Sequence, residues 1–125
     1  MEQKRILLAE DSREIRTYFC RRIRQYFDGI IDVAVDGQEL LNLLTVQTYD
    51  LVLTDLCMPF MDADEVLQSG KDRLGGTPIF VMTAINEDRL NEIEAKIRNI
   101  GVNLRDILVK PLTVTDIRSA LGEIK

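Results

Sequence analysis

Short apolar runs of strand length alternate five times with segments whose apolar residues recur every three or four positions. That alternation leaves few folds open. The runs are Arg5-Ile-Leu-Leu-Ala9, Ile30 to Val35, Leu51 to Thr54, Ile79 to Met82 and a last one centred on Ile107-Leu-Val109. They are continuous rather than alternating in polarity, the pattern of strands buried on both faces, and each is followed by a helical pattern long enough for a crossover. The expectation is an α/β fold: a five-stranded parallel sheet with helices on both faces, (βα)5.

The first helical pattern carries Ile15, Tyr18, Phe19, Ile23, Tyr26 and Phe27 on its inward face, with Asp11 or Ser12 as N-cap and an end near Asp28-Gly29. Arg22 falls among these apolar positions and is expected to snorkel, while Arg13, Arg16, Arg21 and Arg24 read as a solvated face. Asp36-Gly-Gln-Glu39 has capping-box spacing and opens a helix with Leu40, Leu41, Leu43 and Leu44. A weaker third helix carries Ala63, Val66, Leu67 and Leu74, broken by Gly75-Gly76. Asn86 is placed to cap a fourth, with Leu90, Ile93, Ile97 and Ile100 inward and Gly101 at its end. Thr113 is placed to cap a fifth, with Ile117, Ala120, Leu121 and Ile124 inward.

At 125 residues the chain reads as a single domain, 1–125, with no output domain after Lys125. The formal charge of −5 and the absence of a long basic run argue against direct nucleic-acid binding. The chain has neither a membrane-length apolar stretch nor a signal-peptide core, so the expectation is no membrane partner and a cytoplasmic location. Cys20 and Cys57, far apart, read as reduced packing thiols. There is no histidine, which excludes Ser-His or Cys-His catalysis, His-ligated zinc and a phosphohistidine on this chain.

The polar residues that remain fall at the carboxyl ends of the strands: Glu10 and Asp11 after the first, Asp55 ending the third, Thr83 after the fourth and Lys110 after the fifth. Ligands of open parallel sheets bind there. Three acids brought together in a partly dry cleft repel one another unless a cation is present. Oxygen donors without histidine favour the hard ion Mg²⁺, with Lys110 and the Thr83 hydroxyl left to bind phosphoryl oxygens. This set suits phosphoryl transfer to a carboxylate.

Four blocks, LLAEDS, DLCMPFMD, VMTA and VKPL, each at the matching strand end, closely resemble a bacterial two-component response-regulator receiver domain over essentially the whole chain. The resemblance implies the flavodoxin-like strand order 2-1-3-4-5, with Asp55 as phosphoacceptor. Asp11 becomes a direct Mg²⁺ ligand, Glu10 a mostly water-mediated one and the Cys57 main-chain carbonyl another. Thr83 is expected to move toward the phosphoryl group, Lys110 to bridge it to Asp55, and the Lys110-Pro111 bond to be cis. The expected donor is a sensor histidine kinase or histidine phosphotransfer protein, meeting the face formed by the first helix. A downstream protein target, and a homodimer through the fourth helix, fifth strand and fifth helix, are the outputs the family implies. Such a domain catalyses its own aspartyl phosphorylation and dephosphorylation without being a conventional turnover enzyme.

The chain departs from the family pattern at four places. Ala63 stands where glycine is usual, eight residues after Asp55, and Ile107 where an aromatic switch residue is usual, three before Lys110. The segment VNLRDILV is longer than usual, and Cys57 and Ile85 stand at the positions that in the family flank the path of attacking water, so the resemblance implies slow loss of the phosphoryl group. Against this stand plainer readings: Glu10-Asp11 as helix-capping acids, Asp55 with Lys110 as a structural ion pair, Thr83 as an ordinary strand-end residue. Together they make the alternative of a non-phosphorylated adaptor or pseudo-receiver, whether separate or part of a larger sensor kinase. A haloacid-dehalogenase-like hydrolase is excluded because its second acid, two residues after the first, is Cys57 here.

Overall fold

The computed structural model describes residues 3–84 and 88–124. Ile85 and the expected cap Asn86 lie outside them. Along the chain run β1 (Arg5–Ala9), α1 (Arg13–Arg24), β2 (Ile30–Ala34), α2 (Gly37–Val46), β3 (Leu51–Asp55), α3 (Ala63–Ser69), α4 (Lys71–Leu74), β4 (Ile79–Thr83), α5 (Leu90–Ile100), β5 (Leu104–Val109) and α6 (Val114–Leu121). All strand pairs are parallel, in the order β2-β1-β3-β4-β5. The expected (βα)5 sheet is therefore present, with its crossovers on both faces.

Alternation along the strands builds two cores. Ile6 and Leu8 of β1, Leu51 and Leu53 of β3, and Phe80 and Met82 of β4 pack with Phe19 and Ile23 of α1 and Ile117 and Ala120 of α6. Leu7, Ala9, Val52, Ile79 and Val81 face the other way, onto Leu40 and Leu44 of α2, Val66 and Leu67 of α3, and Ile93 and Ile97 of α5. Each fully buried aliphatic side chain contributes about 1.5–3 kcal/mol. β1, β3 and β4, covered on both faces, are the stiff centre from which the polar strand ends project.

Three elements differ from the pattern reading. The third helix breaks at Gly70, so Leu74 belongs to the short α4; a Cβ at Gly70 would come within 3.1 Å of Leu44 Cδ1, and that close approach lets the turn lie against α2. β5 starts earlier than expected, at Leu104, and the pairing jumps from Ile79↔Leu104 to Phe80↔Asp106. The extra residue, Arg105, forms a β-bulge that absorbs part of the long VNLRDILV segment. Tyr18 and Tyr26 are exposed rather than in the core, and α1 ends before Tyr26. Arg22 and Arg118 lie over the rings of Tyr18 and Tyr26, 5.4 and 5.5 Å from their centroids. Arg16 is also not simply solvated: its guanidinium donates to the Glu10 carbonyl at 2.9 Å.

The loop after β3 is fixed from outside. Gly37 at the start of α2 lies so close that a Cβ there would sit 2.3 Å from the Met61 carbonyl oxygen, and its N–H donates to the Pro59 carbonyl. Ala63 is fully buried, so the backbone does accept a Cβ where the family usually has glycine.

Candidate functional site

Each candidate side chain sits at or just after the end of a strand. The ladder of β1 continues through the Glu10 N–H, which donates to the Ala34 carbonyl, so Glu10 is held in strand geometry. Its carboxylate is fully buried and accepts from the Ser12 N–H at 3.0 Å and from Lys110 Nζ at 3.1 Å. Ser12, not Asp11, caps α1, its hydroxyl accepting from the Ile15 N–H. Asp11 is exposed, just before the cap.

Asp55 is the last residue of β3, paired with Met82 of β4 and 5% exposed. Its backbone carbonyl accepts from the buried Thr54 hydroxyl at 3.0 Å. Lys110 follows β5; its N–H donates to the Thr83 carbonyl, and its ammonium reaches past β4 to Asp55 Oδ1 at 2.9 Å. The cis Lys110-Pro111 bond expected from the resemblance is present. One carboxylate oxygen from each of Glu10, Asp11 and Asp55 lies within 4.8 Å of the other two.

Burial pushes the Asp55 carboxyl up to about 7; the hydrogen bond from Lys110 pulls it down and the Glu10 charge pushes it up again. Burial alone would lower Lys110, but its hydrogen bonds and charge pairing with Asp55 and Glu10 prevail and raise it. One ammonium is thus shared by two buried carboxylates, with a third acid at the rim. An all-oxygen donor set of this charge fits a small hard divalent cation, which would restore Asp55 to its ionised form.

Thr83 is 2% exposed at the end of β4, and its hydroxyl donates to the Ala84 carbonyl at 3.1 Å, not to the acidic cluster. Cys57 is half-buried in the loop after β3, with Sγ 2.9 Å from an Arg89 guanidinium nitrogen. The other terminal nitrogen of Arg89 donates to Asp62 at 2.9 Å. Arg89 is the residue the sequence reading passed over. It carries no motif, and its partners are 32 and 27 residues away along the chain, so no spacing signals the contact. Cys20, by contrast, behaves as filler: burial pushes its thiol up, outweighing Arg24 and Arg16. No helix among the described residues is long and apolar enough to cross a membrane.

The family model described as response regulator receiver domain matches residues 6–122. The sensor protein EvgS of Escherichia coli K12 is 32% identical over 124 residues, covering 98% of this chain and 10% of that protein. The transcriptional regulatory protein PdtaR of Mycobacterium tuberculosis H37Rv is 33% identical over 119 residues, 94% of this chain and 55% of its own length. The chain thus spans only part of these curated relatives. In fold it is similar to the chemotaxis protein CheY4 of Vibrio cholerae, with a TM-score of 0.80 at 22% identity and coverage of 98% and 99% of the two chains. With a family match over nearly all of its length and the strand order described above, the chain belongs to the response regulator receiver domain family.

Proposed function

We propose that this receiver domain takes a phosphoryl group onto Asp55 from a phosphohistidine on a partner sensor kinase or phosphotransfer protein, and that the resulting charge changes its contacts with a downstream protein. The observation that carries the reading is the convergence of Glu10, Asp11, Asp55 and Lys110 from three strand ends, with Lys110 Nζ 2.9 Å from Asp55 and 3.1 Å from Glu10. Because the chain has no histidine, the donor is another protein or domain.

In this reading an Asp55 oxygen attacks phosphorus, an O–P bond forms, and the N–P bond of the donor breaks with its electron pair returning to the imidazole. The fold holds the acceptor in place, and positioning is most of what such a transfer asks of a protein. Lys110 holds Oδ1, leaves Oδ2 to attack and is positioned to follow a phosphoryl oxygen. The Thr83 hydroxyl, by rotating away from the Ala84 carbonyl, becomes a donor to that group. Asp11, Asp55 and the Cys57 carbonyl, with Glu10 behind them, would hold Mg²⁺, and the bound ion would supply charge neutralisation for the phosphoryl oxygens.

The product adds roughly two negative charges, and contacts from Thr83 and Lys110 are the means by which α5, β5 and α6 would register it. Ile107 packs partly buried against the core on the α5 side, so the usual aromatic readout is replaced by an aliphatic one. Pairing of two copies through α5, β5 and α6 is the output we assign to that face. Mass spectrometry of the intact chain after incubation with Mg²⁺ and a small acyl phosphate tests the site. The wild type is expected to gain one phosphoryl group and Asp55→Asn none. Equal labelling of both chains overturns the assignment of Asp55, and no labelling of either favours the adaptor reading.

A further inference from the structure

Arg16 stands where the electrostatics of its own helix disfavour it. It lies in the first turn of α1, and a guanidinium there opposes the helix dipole, which favours acids at that end. Long side chains on a helix lean back toward its amino end, and Arg16 uses that direction to reach past the cap. Its Nη1 donates to the Glu10 carbonyl at 2.9 Å and to the Asp11 carbonyl at 3.5 Å. These carbonyls belong to the two peptide groups on either side of Asp11.

Asp11 is the link between strand and helix. Glu10 before it is held through its N–H to the Ala34 carbonyl, and Ser12 after it caps α1 and donates its N–H to the Glu10 carboxylate. Among the described residues no hydrogen bond or ion pair is made to the Asp11 carboxylate, yet one of its oxygens lies within 4.8 Å of an oxygen of Glu10 and of Asp55. The side chain is therefore aimed by its backbone, and Arg16 binds that backbone on both sides.

We propose that Arg16 is a positioning residue for the metal: by holding both carbonyls it fixes the direction of the Asp11 side chain and raises the affinity of the acidic cluster for Mg²⁺. The inference rests on the reading of Glu10, Asp11 and Asp55 as a Mg²⁺ site. Its consequence has the opposite sign to that of charge alone. A guanidinium near the acids repels a second cation, so on charge alone its removal tightens Mg²⁺ binding. Removal of a positioning contact loosens it.

The test is isothermal titration of Mg²⁺ into the whole, unphosphorylated chain. The variants are Arg16→Met and Arg16→Gln, both good helix formers without the guanidinium, and Arg13→Met, which removes the same charge from the exposed first position of α1. Positioning predicts that both Arg16 variants bind Mg²⁺ roughly three- to tenfold more weakly than wild type, about the worth of one net hydrogen bond. Arg13→Met is expected to bind no more weakly than wild type. The Mg²⁺ concentration that half-saturates labelling by a small acyl phosphate rises by the same factor in the Arg16 variants. Wild-type or tighter binding by the Arg16 variants overturns the proposal in favour of the charge effect. An equal loss in Arg13→Met overturns it as well, because any change in the first turn would then suffice. If the wild type binds no Mg²⁺, the metal reading falls and the proposal with it. Thermal unfolding without the ion, followed by circular dichroism, confirms that the chains compared are folded, and either Arg16 variant alone decides the sign.

Discussion

Phe60 carries two local costs at once: its backbone is in the left-handed region at φ 72, and its ring is 84% exposed. The Pro59 carbonyl accepts from the Met61 N–H across it at 2.9 Å, closing a γ-turn that suits glycine far better than a residue with a Cβ. Phe60→Gly is therefore expected to raise stability by about 0.5–1 kcal/mol, the relief of left-handed strain less the added freedom of the unfolded chain. A urea midpoint measures it, and a loss of stability would show that the ring makes a compensating contact. Nothing in the string MPFMD distinguishes this position, because residue type alone does not reveal a positive φ. The tyrosines expected on the inward face of the first helix failed for a related reason. Tyr18 and Tyr26 fit the apolar period, but an aromatic ring with a polar tip and an arginine stacked on it is stable at the surface, and periodicity does not see that partner. Asp55, Glu10 and Lys110 were legible because each follows an apolar run directly. Their meeting was legible only once the runs were read as parallel strands.

Among the elements, α6 shows most clearly how local sequence sets a helix start. The Thr113 hydroxyl accepts from the Asp116 N–H at 3.0 Å, and the Asp116 carboxylate accepts in return from the Thr113 N–H at 2.9 Å. This reciprocal pair begins an eight-residue helix too short to persist alone and sets Ile117 and Ala120 in the core they share with α1 and the sheet. Thr113→Ala is expected to cost about 1 kcal/mol. It should leave phosphorylation of Asp55 intact, since the Thr113 and Asp116 side chains bond to each other's backbone and not to the acidic cluster; chemical denaturation together with the mass assay checks both halves. Caps and apolar stripes of this kind were readable from residue order. The break of the third helix at Gly70 was not, since it depends on how near Leu44 of α2 lies. Nor was the bulge at Arg105, where the strand keeps its hydrophobic pattern while its register to β4 shifts.

For the molecule as a whole, the carboxyl edge of the sheet trades stability for charge. Asp55 ionises near 3.8 in an exposed chain and near 7 in the fold, first because of burial and then because the Glu10 charge partly offsets the help of Lys110. The fold thus holds a proton that the unfolded chain has released between those values. The favourable contribution of this group is complete below about pH 4, declines as pH rises, and is gone above about pH 7, where the buried charge becomes a burden. Asp55→Asn removes the charge and keeps the shape. In metal-free buffer it is expected to be more stable than wild type by roughly 1–3 kcal/mol near pH 8, with the difference shrinking toward pH 4. Added Mg²⁺ should close the same gap from the other side, stabilising the wild type by binding the native acids and the variant much less. Thermal unfolding of both chains across this range, with and without the ion, separates the terms. A difference independent of pH would mean that packing at residue 55, not its charge, sets the balance; a pH-dependent difference that Mg²⁺ leaves untouched would keep the electrostatic argument and remove the ion from it.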